Sequence, residues 1–177
     1  MSASPTRFST ADLCDLYWEP LAGSVQQARP GLVSFGGRHM CYGPAMTVST
    51  CDDNVLIREL VASPGNGRIL VIDGSASSNR ALLGDVQTMK AMKNGWAGLI
   101  INGYVRDREL LAALPFAVFA LGTVPLRPLK TGSGKIGGVV NFLDVTIAPD
   151  NWVYADADGL IVSAVALDLP SEAPTED

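Results

Sequence analysis

Two short runs hold side chains able to work on a small anion: Leu83-Gly84-Asp85-Val86-Gln87 and Arg106-Asp107. The first opens a helix just after a loop that leaves a buried strand. The first turn of a helix has N–H groups without acceptors and a partial positive charge. A carboxylate or enolate rests well against it, and Gly84 would let one come close. The same letters also suit an ordinary helix start, with Gly84 at the boundary and Asp85 complementing the dipole. Arg106-Asp107 stands just beyond a second buried strand, Leu99 to Asn102, where α/β folds commonly gather ligand groups. Arg106 offers a planar fork for a carboxylate, and Asp107 a hard oxygen suited to magnesium or manganese. The structural alternatives are a cap on the helix Arg108 to Leu114 for Asp107 and a surface ion pair with Glu109 for Arg106. If both runs face one cleft, they make a metal and keto-acid site.

Other candidates read more plainly. Gly132-Ser133-Gly134-Lys135-Ile136-Gly137 matches G-x-G-x-x-G, but it follows Pro-containing loop sequence and precedes a strand, whereas the dinucleotide fingerprint needs a strand before and a helix after. It reads as a flexible surface loop. A methyltransferase of the S-adenosylmethionine class would need a strand, Gly-rich loop and helix early in the chain, and they are absent. Lys90 and Lys93 fall on the solvated face of a helix. Asp156 and Asp158 belong to a hairpin turn without the spacing of a calcium loop. His39, the single histidine, reads as a loop residue, and Cys14 as part of an amphipathic helix with nothing to depress its pKa.

The elements that must position these groups follow from spacing and punctuation. Ser9 or Thr10 caps a helix through Tyr17, and Asp53 caps a second, Asn54 to Ala62, ended by Pro64 and Gly65. Strands are expected at about Ala45 to Thr50, Arg68 to Ile72 and Ala97 to Asn102, the last two as continuous apolar runs buried on both faces. A third helix takes Leu82, Leu83, Val86, Met89 and Met92 as its apolar positions and stops at Gly95. Strands at Phe116 to Leu121, Gly138 to Phe142, Val145 to Ala148 and Trp152 to Ala155 follow, and Asp158-Gly159 turns into Leu160 to Ala164. Helices threaded among early strands, then hairpin-like strands, predict an α/β fold of mixed sheets. Residues 9–165 form one domain, and 166–177 a partly disordered acidic tail.

Composition narrows the function classes. The chain has 177 residues, 47% hydrophobic and 18% charged, enough for a packed core without disulfides or structural metal. Lys+Arg 13 against Asp+Glu 18 gives a net charge of −5, the wrong sign for gripping nucleic acid through phosphates. Cys14, Cys41 and Cys51 form no C-x-x-C, which suits a reducing cytoplasm. No apolar run is long enough to span a bilayer.

Thr10-Ala11-Asp12-Leu13-Cys14-Asp15, Ile69-Leu70-Val71-Ile72-Asp73-Gly74, Ala81-Leu82-Leu83-Gly84-Asp85, Asn94-Gly95-Trp96-Ala97-Gly98, Asn102-Gly103-Tyr104-Val105-Arg106-Asp107 and Tyr154-Ala155-Asp156-Ala157-Asp158-Gly159 occur in that order. In these runs the sequence resembles the RraA-like proteins, which include the regulator of ribonuclease activity A and metal-dependent 4-hydroxy-4-methyl-2-oxoglutarate aldolases. The resemblance implies a β/β/α fold like the swivelling phosphohistidine domain, in a ring-shaped homotrimer with sites at subunit interfaces. It implies that Gly84, Asp85, Val86 and Gln87 bind substrate, that Arg106 holds the pyruvyl group, and that Asp107 ligates a divalent metal (Mg or Mn). Asp85 would position the water that removes the 4-hydroxyl proton. Two pyruvates would form, and oxaloacetate decarboxylation through the same enolate would be a side activity. The regulator branch can lose the aspartate after the arginine, so its retention as Asp107 favours the catalytic members. Glu109 is the nearest match to a further acid of the catalytic relatives. The other class implied is a non-catalytic protein that docks on a ribonuclease, which an acidic chain suits if the partner is basic.

Overall fold

The computed structural model describes residues 8–170, so the expected disorder of 171–177 lies outside the described residues. The elements in chain order are α1 (Thr10–Tyr17), β1 (Val25–Gln27), β2 (Val33–Ser34), β3 (Cys41–Ser49), α2 (Val55–Ala62), β4 (Ile69–Asp73), β5 (Ala81–Leu83), α3 (Asp85–Lys93), β6 (Gly98–Val105), α4 (Arg108–Ala112), β7 (Val118–Thr123), β8 (Lys135–Ile136), β9 (Val140–Phe142), β10 (Val145–Ile147), β11 (Trp152–Ala155) and β12 (Leu160–Ser163).

β3 joins two kinds of sheet. Its first residues, Cys41 to Pro44, pair antiparallel with β11, which leads through β12 to β1. From Ala45 onward it pairs parallel with β4, and β4, β6 and β7 continue in parallel before β2 closes the edge antiparallel. β4 and β6 are apolar at nearly every position because both of their faces are covered. Leu70, Ile72, Leu99 and Ile101 point into a core shared with Ile57, Val61, Ala91 and Leu111 of the helices. Ile69, Val71 and Ile100 point the other way, onto Phe142, Val145, Ile147 and Val162. Helices, a mostly parallel sheet and a second layer of strands therefore stack as β/β/α, the architecture expected from the sequence.

Helix ends follow local chemistry. The Ser9 hydroxyl accepts from the Ala11 and Asp12 N–H groups at the start of α1, and the Asp156 carboxylate accepts from the Thr10 N–H and hydroxyl at 2.7 Å each. Asp53 caps α2 from one position outside the helix boundary, its carboxylate accepting from the Val55 N–H at 2.9 Å, while Asn54 at the boundary makes no side-chain cap. Among the described residues no helix is long and apolar enough to cross a membrane.

Two expectations are corrected. Leu82 and Leu83 are not helical: with Ala81 they form β5, parallel to β6, and α3 begins only at Asp85. Their spacing to Val86 imitates a helix stripe, but a buried strand is apolar at consecutive positions, and Val86 is 55% exposed. The buried face of α3 is Thr88 and Ala91. The second correction concerns the Gly-rich run. It is no free loop, because Lys135 and Ile136 pair with Ser49 and Val48 of β3 and the Thr50 hydroxyl donates to the Ser133 carbonyl at 2.9 Å. Strands β1 and β2, three and two residues long, were too short to show a period.

Candidate active site

Leu83 and Val105 are register partners at the carboxyl ends of the parallel strands β5 and β6, so Gly84 and Arg106 emerge side by side. The Arg106 N–H donates to the Leu83 carbonyl at 3.0 Å and fixes that adjacency. Gly84 then turns into α3 with φ −142° and ψ −155°, extended values open to any residue. The requirement for glycine is space: a Cβ here would overlap Oδ2 of Asp107 and stand 3.1 Å from Cγ of Arg106. The first intrahelical bond runs from the Thr88 N–H to the Gly84 carbonyl. The N–H groups of Asp85, Val86 and Gln87 precede it and have no acceptor within the helix.

Asp107 takes up the left-handed conformation, φ 63° and ψ 43°, which Asp tolerates better than most residues. Its backbone carbonyl accepts from Leu111, but its carboxylate makes no cap bond to α4. The carboxylate turns instead to Gly84 and to Arg106, whose Nε stands 3.3 Å from Oδ2. The capping alternative for Asp107 therefore fails. So does the pairing of Arg106 with Glu109, which is exposed on α4 and does not reach the cleft.

Gly84, Asp85, Val86, Gln87, Arg106 and Asp107, widely separated runs in the sequence, line one cleft of about 350 Å³. Four more polar groups share it that sequence reasoning missed: Asn54, Arg58, Arg127 and Lys130. Arg58 sits one turn into α2 after Asn54. The only sequence signal for the other two is that residues 124–135 carry three cations and no acid in a chain of net charge −5. Among the described residues no hydrogen-bond donor reaches the buried Oδ1 of Asn54 or the buried Oε1 of Gln87.

The far side of the cleft is fixed by Asp53, a fully buried carboxylate. Burial alone would raise its pKa, but the N–H groups of Val55, Thr131 and Gly132 and the Thr131 hydroxyl outweigh burial and hold it below the ordinary carboxylate value. These bonds tie the segment after β7 to the start of α2. Among the described residues no group of three or more His, Cys, Asp or Glu side chains gathers. What the cleft offers a cation is hard carboxylate oxygen from Asp107 and from Asp85, both of which line it. That donor set fits magnesium or manganese, which commonly bind through one or two carboxylates and keep several waters.

The family model described as RraA-like, Aldolase/RraA, matches residues 10–162. A protein of Xanthomonas campestris pv. campestris (strain 8004), named "Putative 4-hydroxy-4-methyl-2-oxoglutarate aldolase", is 45% identical over 162 residues, which cover 92% of this chain and 95% of that one. Among solved structures, one described as S-adenosylmethionine: 2-dimethylmenaquinone methyltransferase from Geobacillus kaustophilus HTA426 is 40% identical with a TM-score of 0.85, covering 90% of this chain and 96% of that one. Another, the RNA-processing inhibitor RraA from Thermus thermophilis, is 33% identical with a TM-score of 0.85, covering 96% and 98%.

Proposed function

The chain belongs to the RraA-like family, and on that premise we propose that it is a divalent-metal-dependent carbon–carbon lyase cleaving 4-hydroxy-4-methyl-2-oxoglutarate to two pyruvates, with oxaloacetate decarboxylation as a side activity. The observation that carries this reading is the posture of Asp107, held left-handed with its carboxylate on Gly84 and Arg106 and not on the helix it precedes.

The cleavage is a retro-aldol step. The C3–C4 bond breaks, the 4-hydroxyl proton leaves as C4 becomes the keto carbon of one pyruvate, and C3 is protonated to complete the other. Asp85, at the first position of α3, lies in the cleft where it accepts that proton through water. Arg106 grips the 1-carboxylate with its forked guanidinium, and the N–H groups of Asp85, Val86 and Gln87 face the oxygen on which charge develops. Asp107 and water would hold magnesium or manganese, which supplies electrophilic stabilisation of that charge. Decarboxylation of oxaloacetate leaves the same enolate and uses the same groups.

Assembly as a homotrimer accords with the cleft's surroundings. Val86, which lines the cleft, and Leu126 and Leu129, which flank lining residues, are 55%, 51% and 41% exposed, apolar surface that a neighbouring subunit would cover. We place the protein in the cytoplasm, acting on a small 2-keto acid without nucleic acid or membrane.

The test is pyruvate release from 4-hydroxy-4-methyl-2-oxoglutarate and from oxaloacetate after EDTA treatment, with and without added magnesium or manganese. Loss with EDTA and recovery with either metal is expected. EDTA-resistant cleavage would overturn the metal dependence. The second reading, a regulator that docks on a ribonuclease, is favoured by the likeness to the Thermus RNA-processing inhibitor. It gains if no keto diacid is cleaved and the protein slows a purified endoribonuclease.

A further inference from the structure

A second hollow lies at the opposite end of the parallel strands from the catalytic cleft. The cleft opens where β5 and β6 end, whereas this cavity of about 490 Å³ lies where β3 and β6 begin, beside Gly67 and Ala97. The length of β6 between them is roughly 25 Å at about 3.3 Å per residue. Arg38, Tyr42, Asn66 and Trp152 bring the functional side chains of its lining.

The walls are fixed by backbone bonds. The Gly37 and Arg38 N–H groups donate to the Leu114 and Phe116 carbonyls at 2.9 and 3.3 Å, which holds Arg38 against the entry to β7. On the other side the Gly65 N–H donates to the Asn94 carbonyl, Gly67 to Gly95 and Ala97 to Arg68, each at 2.8 Å. A Cβ on Gly43 would stand 2.5 Å from the Gly67 carbonyl oxygen, so β3 and this turn touch directly, and neither glycine sends a side chain into the space. The rings are set as well. Tyr42 stacks on the buried Tyr154 with centroids 6.0 Å apart and planes 1° apart, and Trp152 does so at 6.3 Å and 24°. Such a hollow is formed before any ligand arrives.

The chemistry of the lining is one-sided. Arg38 is its single charged side chain, and among the described residues no carboxylate stands within ion-pair distance of it. Burial pushes the Cys41 thiol up to about 12, with the nearby Arg38 guanidinium acting in the opposite direction, so that thiol is an inert part of the wall. Asn66 and Trp152 add N–H donors, and Tyr42 a hydroxyl. A guanidinium fork suits a carboxylate, and two half-buried rings suit a planar face. A phosphate ester or a dicarboxylate would bring a second negative charge that no lining residue meets.

We infer that this cavity is a second ligand site that takes a planar aromatic monocarboxylate, its carboxylate on Arg38 and its ring against Tyr42 and Trp152. The site is independent of the aldolase reading, because none of its lining residues belongs to the catalytic cleft.

Calorimetric titration with 2-naphthoate, 2-naphthamide and decahydronaphthalene-2-carboxylate separates the two requirements, since the amide lacks the charge and the saturated acid lacks the planar ring. The wild-type chain should bind 2-naphthoate at least ~10-fold more tightly than the amide, the scale of one charge-assisted hydrogen bond. Over the saturated acid the preference should be at least ~3-fold, the scale of an aromatic pair. Arg38→Gln should bring the planar acid and its amide within ~3-fold of each other, and Trp152→Leu should remove the preference for the planar acid. Saturating pyruvate should not displace 2-naphthoate, and Arg106→Gln should leave its affinity unchanged. Thermal melting shows which variants are folded; if Trp152→Leu is not, the decision falls to Arg38→Gln, which breaks no ion pair among the described residues. No binding of 2-naphthoate at millimolar concentration, equal affinity for acid and amide, displacement by pyruvate, or undiminished binding in Arg38→Gln would overturn the site.

Discussion

Gly84→Ala separates position from chemistry at this site, because it adds one methyl and removes no functional group. Its φ of −142° is open to alanine, so the backbone need not change, and the smaller entropy of the unfolded chain favours alanine by about 0.4–1 kcal/mol. Against that, the new Cβ overlaps Oδ2 of Asp107 and stands 3.1 Å from Cγ of both Asp107 and Arg106. Overpacking costs about 1–3 kcal/mol, and the lower end applies because the Asp107 side chain is partly exposed and can swing aside. The net loss of stability should be within about 2 kcal/mol, a fall of roughly 4–8 °C in Tm. The carboxylate must retreat by roughly 1 Å to regain ordinary contact, a displacement that can cost ~100-fold in rate. Pyruvate release coupled to lactate dehydrogenase should therefore show kcat/KM about 100-fold lower in a folded variant. In an Asp107→Gly background the obstructing oxygen is gone, so adding Gly84→Ala should change little further. Unchanged turnover in Gly84→Ala, or the same fractional loss in both backgrounds, would refute the idea that this glycine exists to seat Asp107.

Three more outcomes are expected. Asp107→Asn should alter stability by less than about 1 kcal/mol, since the side chain makes no cap bond and its one ion pair is partly exposed, yet pyruvate formation should drop by orders of magnitude and not return at millimolar magnesium. Light scattering should give the mass of three 18.6 kDa chains, and a monomer at micromolar concentration would sink a site completed between subunits. Asp53 has its pKa depressed in the fold, so its ionised form stabilises the protein fully above the ordinary carboxylate value and loses that effect as pH falls through the folded value. Asp53→Asn should accordingly melt well below the wild type at pH 7, with the gap in Tm narrowing below about pH 4; a gap independent of pH would contradict the clamp.

What could be read from the sequence divides by the range of the interactions involved. Arg106-Asp107 was legible because an apolar run of strand length ends just before it, and strand ends in α/β folds are where ligand groups stand. Gly84-Asp85 was legible as a helix start. That the two runs are adjacent depends on β5 pairing with β6, and β5 was hidden because Leu82 and Leu83 also satisfied the helical period of Val86 and Met89. Asp53 was recognised through its local cap, but its bonds to Thr131 and Gly132, 78 and 79 residues away, leave no periodic trace. The Gly-rich run reads as a free loop because glycine marks both mobility and close approach. At Gly134 the cause is close approach, for φ is +130° and a Cβ would meet the Ser49 carbonyl of β3.

The distribution of charge links fold to function. A chain of net charge −5 disfavours anions as a whole, but with a Debye length of about 8 Å at physiological salt the charges far from the cleft are screened and the groups lining it decide. Inside the cleft the balance reverses, because β6 delivers Arg106, α2 delivers Arg58, and the segment tied down by Asp53 delivers Arg127 and Lys130. Among the described residues Asp53 meets N–H and O–H donors and no cation, so its negative charge holds the wall in place and does not neutralise the cations that the wall presents. The clamp by neutral donors lets a structural carboxylate lie beside the cleft without neutralising the cations that line it.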